Sequence, residues 1–319
     1  MQKVMNKILI IFPGSLGDFI AFLPSLKLIR AHYPKANIDI ACKSSYAPLV
    51  EKKPIYANVS ERLSFLLSGL FVSADACTIR TKDYLESLDL IITYLDDKDK
   101  NFSENLKKNT TAKVLVWKGN IREGLSTNIY KYYLDSLKLL GINNESCKYQ
   151  IEISNDEEDI PAGNYFCIHP GSGSKRKNWG IRKFVTLAKK IEKNCSLSPI
   201  FITGEAETAL RIEIPQEFSC IHNEKLKKVS SVLLNSKFYI GNDSGISHLA
   251  GTLGIKSFLI FGPTRPEIWA PPLKNVFPID ASKECKKSSQ KKDCPVCATS
   301  DCLKELQADR VFEIIKENL

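Results

Sequence analysis

Apolar residues in this chain come in short unbroken runs and do not alternate with polar ones. In the first half the runs are Lys7–Phe12, Asn37–Lys43, Leu88–Leu95 and Ala112–Lys118. In the second half they are Asn164–His169, Pro199–Thr203, Phe218–His222, Phe238–Ile240 and Lys256–Phe261. A strand with one wet face alternates, whereas a continuous run is buried on both faces, as in a parallel sheet covered by helices. The stretches between the runs have helical patterning, so the expected class is α/β. Ser154 to Gly163, S-N-D-E-E-D-I-P-A-G, is acidic, polar and closed by proline and glycine, which predicts a linker. The boundary gives an N-terminal domain over residues 1–155 and a C-terminal domain over 156–319. Both are expected to be doubly wound and Rossmann-like, facing across a cleft, with ligands at the C-terminal ends of their strands. Apolar residues at Leu303, Leu306, Val311, Ile314 and Ile315 predict an amphipathic helix over Cys302–Leu319, of a kind that can cross back to the first domain.

Composition narrows the setting. The chain has 319 residues, 43% hydrophobic and 25% charged, enough to bury a core in each half. No apolar run approaches the roughly 18 residues of a membrane-spanning helix. Lys7–Phe12 is too short for a signal peptide and is broken by Pro13-Gly14, so the expected location is the cytoplasm. The net charge of +9, from 45 basic and 36 acidic residues, favours anionic partners. A nucleotide sugar, a phosphorylated glycolipid or the cytoplasmic face of the inner membrane would each fit. Nucleic acid is not expected, because no nucleic-acid-binding motif accompanies the charge.

Six of the ten cysteines (Cys42, Cys77, Cys147, Cys167, Cys195, Cys220) are scattered among apolar neighbours like buried thiols. Cys285, Cys294, Cys297 and Cys302 are concentrated, in the spacing C-x8-C-x2-C-x4-C. Four thiolates so close could close a structural zinc or iron site around the 285–302 loop. Reduced cysteines or a labile disulfide pair fit the same spacing, which is not that of a standard zinc finger.

The richest stretch is Tyr239–Pro271, Y-I-G-N-D-S-G-I-S-H-L-A-G-T-L-G-I-K-S-F-L-I-F-G-P-T-R-P-E-I-W-A-P. A strand ends in Gly-Asn-Asp-Ser-Gly and a small-residue helix follows directly. Such a junction aims free N–H groups and the positive end of a helix dipole at one point, which suits a phosphate. His248 lies about one turn along that helix and can face the same pocket. Two ordinary strand–helix turns of an α/β domain are the plainer reading.

The order D-S-G-x-S-H-L-A-G, then F-G-P-T-x-P and W-A-P, resembles the signature of the ADP-heptose:lipopolysaccharide heptosyltransferases, glycosyltransferase family 9. Two further segments resemble the same family. Gly14-Ser15-Leu16-Gly17-Asp18, followed by Leu23-Pro24-Ser25-Leu26, is similar to its N-terminal loop. His169-Pro170-Gly171-Ser172-Gly173-Ser174, with Lys177-Asn178-Trp179, is similar to its central phosphate loop. The resemblance implies a GT-B fold and an inverting transfer of heptose from ADP-heptose to a lipopolysaccharide inner-core acceptor. Cysteines at places similar to the 285–302 cluster recur in relatives of this family.

Glycosyl transfer needs a base for the acceptor hydroxyl, stabilisation of the departing diphosphate, and a donor held in line. The resemblance places the catalytic aspartate at Asp18, after Gly17, whose missing side chain lets the loop approach a substrate. Asp18 also fits an N-cap for the helix that Phe19 begins. Lys177 is the leading charge for the diphosphate, ahead of Lys175 and Arg176. Gly171, Ser172, Gly173 and Ser174 supply backbone and hydroxyl donors. Ser244 and Gly245 add N–H groups, Asp243 fixes the loop or contacts the sugar, and His248 could reach a phosphate. Glu207, or else Glu205, could bind the ribose. With these donors built in, catalysis requires no metal ion; Asp97-Lys98-Asp99 matches a metal–nucleotide D-x-D motif only in spelling.

The chain departs from the family in two places. Phe12-Pro13-Gly14-Ser15 stands where relatives often carry a basic residue, and Lys256 stands where they commonly have proline. The first departure weakens any transfer of acceptor specificity. Rival readings are a family-9 enzyme acting on a protein or another glycan, a UDP-sugar GT-B enzyme such as a 2-epimerase, and an inactive sugar-nucleotide-binding subunit.

Overall fold

A computed structural model describes residues 5–119, 125–143, 149–153, 160–285 and 300–319. The chain divides into two compact units. One comprises Met1–Leu125 with Lys131–Lys148, the other Ser126–Tyr130 with Tyr149–Leu319. Most of the linker expected over Ser154–Gly163 lies outside the described residues.

The first unit is built on a five-stranded sheet in the order β3-β2-β1-β4-β5. Its strands are β1 (Lys7–Ile11), β2 (Asn37–Ala41), β3 (Asn58–Val59), β4 (Leu90–Thr93) and β5 (Lys113–Val116). All neighbours pair in parallel. Ile8, Leu9 and Ile10 on the central strand are wholly buried, as an unbroken apolar run requires. Helix Leu16–His32 follows β1 and is apolar almost all round, burying Phe19 through Leu26 and Ile29. Its last turn is closed by Arg30, whose guanidinium donates to the carbonyls of Ile55, Tyr56, Ala36, Tyr33 and Pro34.

The second unit carries a six-stranded sheet in the order β11-β10-β9-β6-β7-β8. These strands are β6 (Tyr165–His169), β7 (Ser198–Thr203), β8 (Ser219–His222), β9 (Tyr239–Asn242), β10 (Ser257–Phe261) and β11 (Val276–Asp280). Again every pairing is parallel. In both sheets the order reverses direction beside the strand that starts the unit, as doubly wound folds require. Each expected strand is present. Two were not expected: β3 has only two residues, and β11 is interrupted by Pro278, which an edge strand tolerates.

The C-terminal segment differs from the single helix expected over Cys302–Leu319. It forms two, Asp301–Glu305 and Ala308–Asn318. The break is held by side chains that take over the carbonyls at the first helix's end. Leu306 O accepts from Trp179 Nε1 at 2.9 Å and from Lys183 Nζ at 2.7 Å. Leu303 O accepts from Lys183 Nζ at 2.9 Å. The last helix then packs along helix Ile181–Cys195, its Val311, Phe312 and Ile315 joining the second unit's core. Among the described residues no helix is long and apolar enough to cross a membrane.

Candidate functional site

In the first unit, Phe12 leaves β1 and the chain turns through Pro13 and Gly14 into helix Leu16–His32. Gly14 lies against the Phe12 ring and the Asp18 β-carbon; a methyl group there would sit 2.5 Å from the ring. Ser15, not Asp18, is the N-cap. Asp18 is the third helical residue and closes a capping box. Its Oδ2 accepts from Ser15 N–H at 3.1 Å and from the Ser15 hydroxyl at 2.7 Å. The loop thus anchors one carboxylate oxygen, and Oδ1 has a lone pair available as a base.

Aromatic rings surround this turn. Phe12 stacks on Phe22 at 4.9 Å and meets Tyr133 at 5.6 Å, while Tyr46 stacks on Phe19 at 5.0 Å. Burial, with the Cys42 and Asp18 charges adding, pushes the Tyr46 hydroxyl up to about 12. Burial and then the Asp18 charge raise Tyr133 as well. Both tyrosines therefore remain neutral donors beside the carboxylate. Sequence reasoning missed them, since nothing local ties residues 46 and 133 to residue 18.

In the second unit the candidate residues gather at the C-terminal ends of neighbouring strands. β6 ends at His169, which is buried and donates through Nδ1 to Ile202 O at 2.9 Å. Burial lowers its pKa from 6.5, against the opposing effects of that hydrogen bond and of Glu207. The loop Gly171–Asn178 follows. Ser172 Oγ lies 2.7 Å from Ser174 O and 2.6 Å from Asn178 Oδ1, so this hydroxyl braces the loop from inside. Gly173 has open space around it. Lys175 and Arg176 are exposed, whereas the Lys177 ammonium reaches Asp243 Oδ2 at 2.7 Å.

Asn242, the last residue of β9 and wholly buried, clamps both ends of that loop. Its Nδ2 donates to Pro170 O at 2.7 Å and its Oδ1 accepts from Trp179 N–H at 3.0 Å. Asp243 follows, with Oδ2 also accepting from the Thr264 hydroxyl at 2.8 Å. Thr264 comes from the Gly262-Pro263-Thr264 turn after β10. Ser244 caps helix Gly245–Thr252, taking the Ser247 N–H on its own hydroxyl. The Ser244 hydroxyl is therefore a cap, and what the junction offers a ligand is the N–H groups of Gly245 and Ile246, which have no intrahelical acceptor. His248 is buried one turn on, its Nε2 3.9 Å from Asp243 Oδ1.

Glu207 is buried. Its Oε2 accepts from Gly204 N–H at 2.8 Å, and its side chain fills the space that a β-carbon on Gly171 would need. It braces Gly171, while Glu205 is exposed. Of the cysteine cluster, Cys294 and Cys297 lie outside the described residues. Cys302 is buried in the second unit's core and the half-buried Cys285 packs against it, where the turn Ala281–Glu284 meets helix Asp301–Glu305. Among the described residues no three metal-ligating side chains converge.

Two parallel α/β units, with N–H groups, an ammonium and a buried carboxylate at the strand ends of the second, define a GT-B glycosyltransferase. The chain belongs to glycosyltransferase family 9 (heptosyltransferase), whose sequence model matches residues 131–298. It is 25% identical over 328 residues to lipooligosaccharide heptosyltransferase 2 of Campylobacter jejuni, covering 98% of both chains. Its fold is similar to that of a family-9 glycosyltransferase from Veillonella parvula, with a TM-score of 0.75 and 16% identity over 98% of this chain and 96% of that one. It is also similar to Escherichia coli heptosyltransferase WaaC with ADP-2-deoxy-2-fluoro heptose. There the TM-score is 0.69 and identity 18%, covering 98% of this chain and all of the other.

Proposed function

We propose that this enzyme is an inverting heptosyltransferase that moves heptose from ADP-heptose to an inner-core acceptor of lipopolysaccharide. The observation that carries the reading is the set of donors at the ends of β6 and β9. Lys177, the glycine-rich loop Gly171–Ser174 and the free N–H groups of helix Gly245–Thr252 suit a diphosphate, and Asn242 holds the first two in register with the third. The Campylobacter relative, aligned over nearly the whole chain, is a lipooligosaccharide heptosyltransferase, and the Escherichia structure carries an ADP-heptose analogue.

In the proposed reaction the acceptor oxygen forms a bond to the anomeric carbon as the bond to the diphosphate breaks. The electron pair leaves with ADP, and Asp18 takes the acceptor proton on Oδ1. Lys177 and the backbone N–H groups meet the charge on the departing diphosphate, so no step is routed through a metal ion. Asp243 orients Lys177, and Glu207 serves the ribose side of the site. The acceptor is the anionic glycolipid, reached from the cytoplasmic face of the inner membrane. For the cysteine segment 285–302 the proposal is a structural zinc or iron held by thiolates; elemental analysis of wild type and of Cys302→Ser checks it.

The reading is tested by titrating the protein with ADP, UDP and GDP without Mg²⁺, then assaying turnover of ADP-heptose with a heptose-deficient lipopolysaccharide. ADP preference with acceptor-dependent release of ADP supports it. UDP preference, or release of free sugar without acceptor, would move the enzyme to another GT-B activity.

A further inference from the structure

Ser126–Tyr130 belongs to the second unit, although the stretches on both sides of it belong to the first. Asn128 pins this strap beside the Pro266–Trp269 turn. Its Nδ2 donates to Ala270 O at 2.9 Å and to Glu267 O at 3.3 Å, and its Oδ1 accepts from Tyr130 N–H at 3.1 Å. Tyr130 is completely buried. Its ring stacks on His248, 5.8 Å between centroids with 6° between the ring planes, and its hydroxyl is 3.0 Å from His248 Nδ1.

We infer that Tyr130 is a positioning residue of the donor-phosphate site: its hydroxyl donates to His248 Nδ1 and fixes the tautomer whose Nε2–H faces Asp243, the carboxylate that orients Lys177. Charge distribution selects this arrangement. In the opposite tautomer the Nε2 lone pair would face the Asp243 carboxylate at 3.9 Å, setting two acceptors against each other in a buried place. Burial also holds the Tyr130 hydroxyl well above 10, so it remains a proton donor. With the histidine fixed, Asp243 has Nε2–H opposite Oδ1, while Oδ2 takes the Lys177 ammonium and the Thr264 hydroxyl. The chain Tyr130–His248–Asp243–Lys177 thus runs from the strap to the ammonium. The role of Lys177 toward a diphosphate rests on the function proposed above; the tautomer does not.

The test is nitrogen NMR on the full chain with ¹⁵N-labelled histidine, with His248 assigned by its loss in His248→Gln. The expected wild-type signal is a neutral ring protonated at Nε2. Tyr130→Phe keeps the stacked ring and should shift the signal of the unprotonated Nδ1, whose lone pair loses its donor. ADP affinity should fall about fivefold, the loss of one neutral hydrogen bond. A wild-type ring protonated at Nδ1, or at both nitrogens, at neutral pH overturns the inference, as does an unchanged His248 signal in Tyr130→Phe. Failure of the wild type to bind ADP would count against the donor-site reading and leave the tautomer result standing.

Discussion

The Lys177 ammonium lies 2.7 Å from Oδ2 of Asp243, a carboxylate only 5% exposed, while the lysine side chain is 29% exposed. One partner is thus fixed inside the protein and the other reaches toward solvent, the arrangement expected of a charge that must meet an incoming anion. Lys177→Met removes that charge and leaves Asp243 with less compensation. ADP affinity should fall at least about tenfold. Stability should fall by about 1–2 kcal/mol, less than for a fully buried pair because Lys177 is partly wet. Lys175→Met, on the exposed side of the same turn, should change neither. Calorimetric titration with ADP and urea unfolding of both variants check this.

Asn242 joins Pro170 and Trp179 through a single buried amide. Asn242→Ala would orphan a carbonyl and an N–H at the two ends of the Gly171–Asn178 loop. The expected cost is about 2–3 kcal/mol, with faster hydrogen exchange at the Trp179 amide. Asn242→Asp keeps the acceptor for Trp179 N–H but sets a carboxylate oxygen against Pro170 O, so it should be nearly as damaging. A substitution to alanine with unchanged unfolding midpoint would remove the clamp from the account of the site.

Asp18 has one oxygen held by Ser15 and the other available for chemistry. Asp18→Asn can keep the capping contacts through its amide oxygen but cannot accept a proton. Turnover should drop at least about 100-fold. ADP binding should be unchanged, and loss of the charge near a helix N-terminus should cost less than about 1 kcal/mol. Ser15→Ala separates the roles further: it weakens the cap and leaves the base. Single-turnover rates beside equilibrium binding of ADP distinguish the two.

His169 gives the fold a pH dependence of predictable sign. Its folded pKa lies below the unfolded value of 6.5, with burial the largest cause, so the unfolded chain binds its proton first as pH falls. Stability from this group is full above about 6.5 and is lost as pH drops toward the lowered value, with a slope of at most about 1.4 kcal/mol per pH unit. Urea unfolding from pH 7.5 to 5 should show that loss. In His169→Asn, which retains a side-chain N–H donor, the slope should be smaller across the same range.

The extent to which the site was legible from sequence differed between its two halves. Gly171–Lys177 and Asp243–His248 stand out in one dimension because strand–turn–helix junctions need glycine, small hydroxyl residues and a cap in fixed order. The same local logic allowed Asp18 to be either a base or an N-cap; the structure puts the N-cap at Ser15 and Asp18 at the third helical position, with Oδ2 held by Ser15. At Ser244 the expected contribution was backbone N–H, and the structure adds that its hydroxyl closes the helix by taking Ser247 N–H. Asn242 was visible inside its motif but silent, because its partners Pro170 and Trp179 come from a different strand end.

Sequence by itself determined the architecture and the local chemistry. Unbroken apolar runs demand strands buried on both faces, and the glycine-rich turns after them demand close backbone approach; both are short-range requirements that leave a linear record. The tertiary structure alone decided which charges meet. The pairing of Lys177 with Asp243 and the clamp of Asn242 depend on β6 and β9 lying side by side, and the reach of Tyr130 to His248 depends on the Ser126–Tyr130 strap joining the second unit. Each contact is made between residues more than sixty positions apart. Such contacts carry no periodicity and no local preference, so only the packed fold brings them into being.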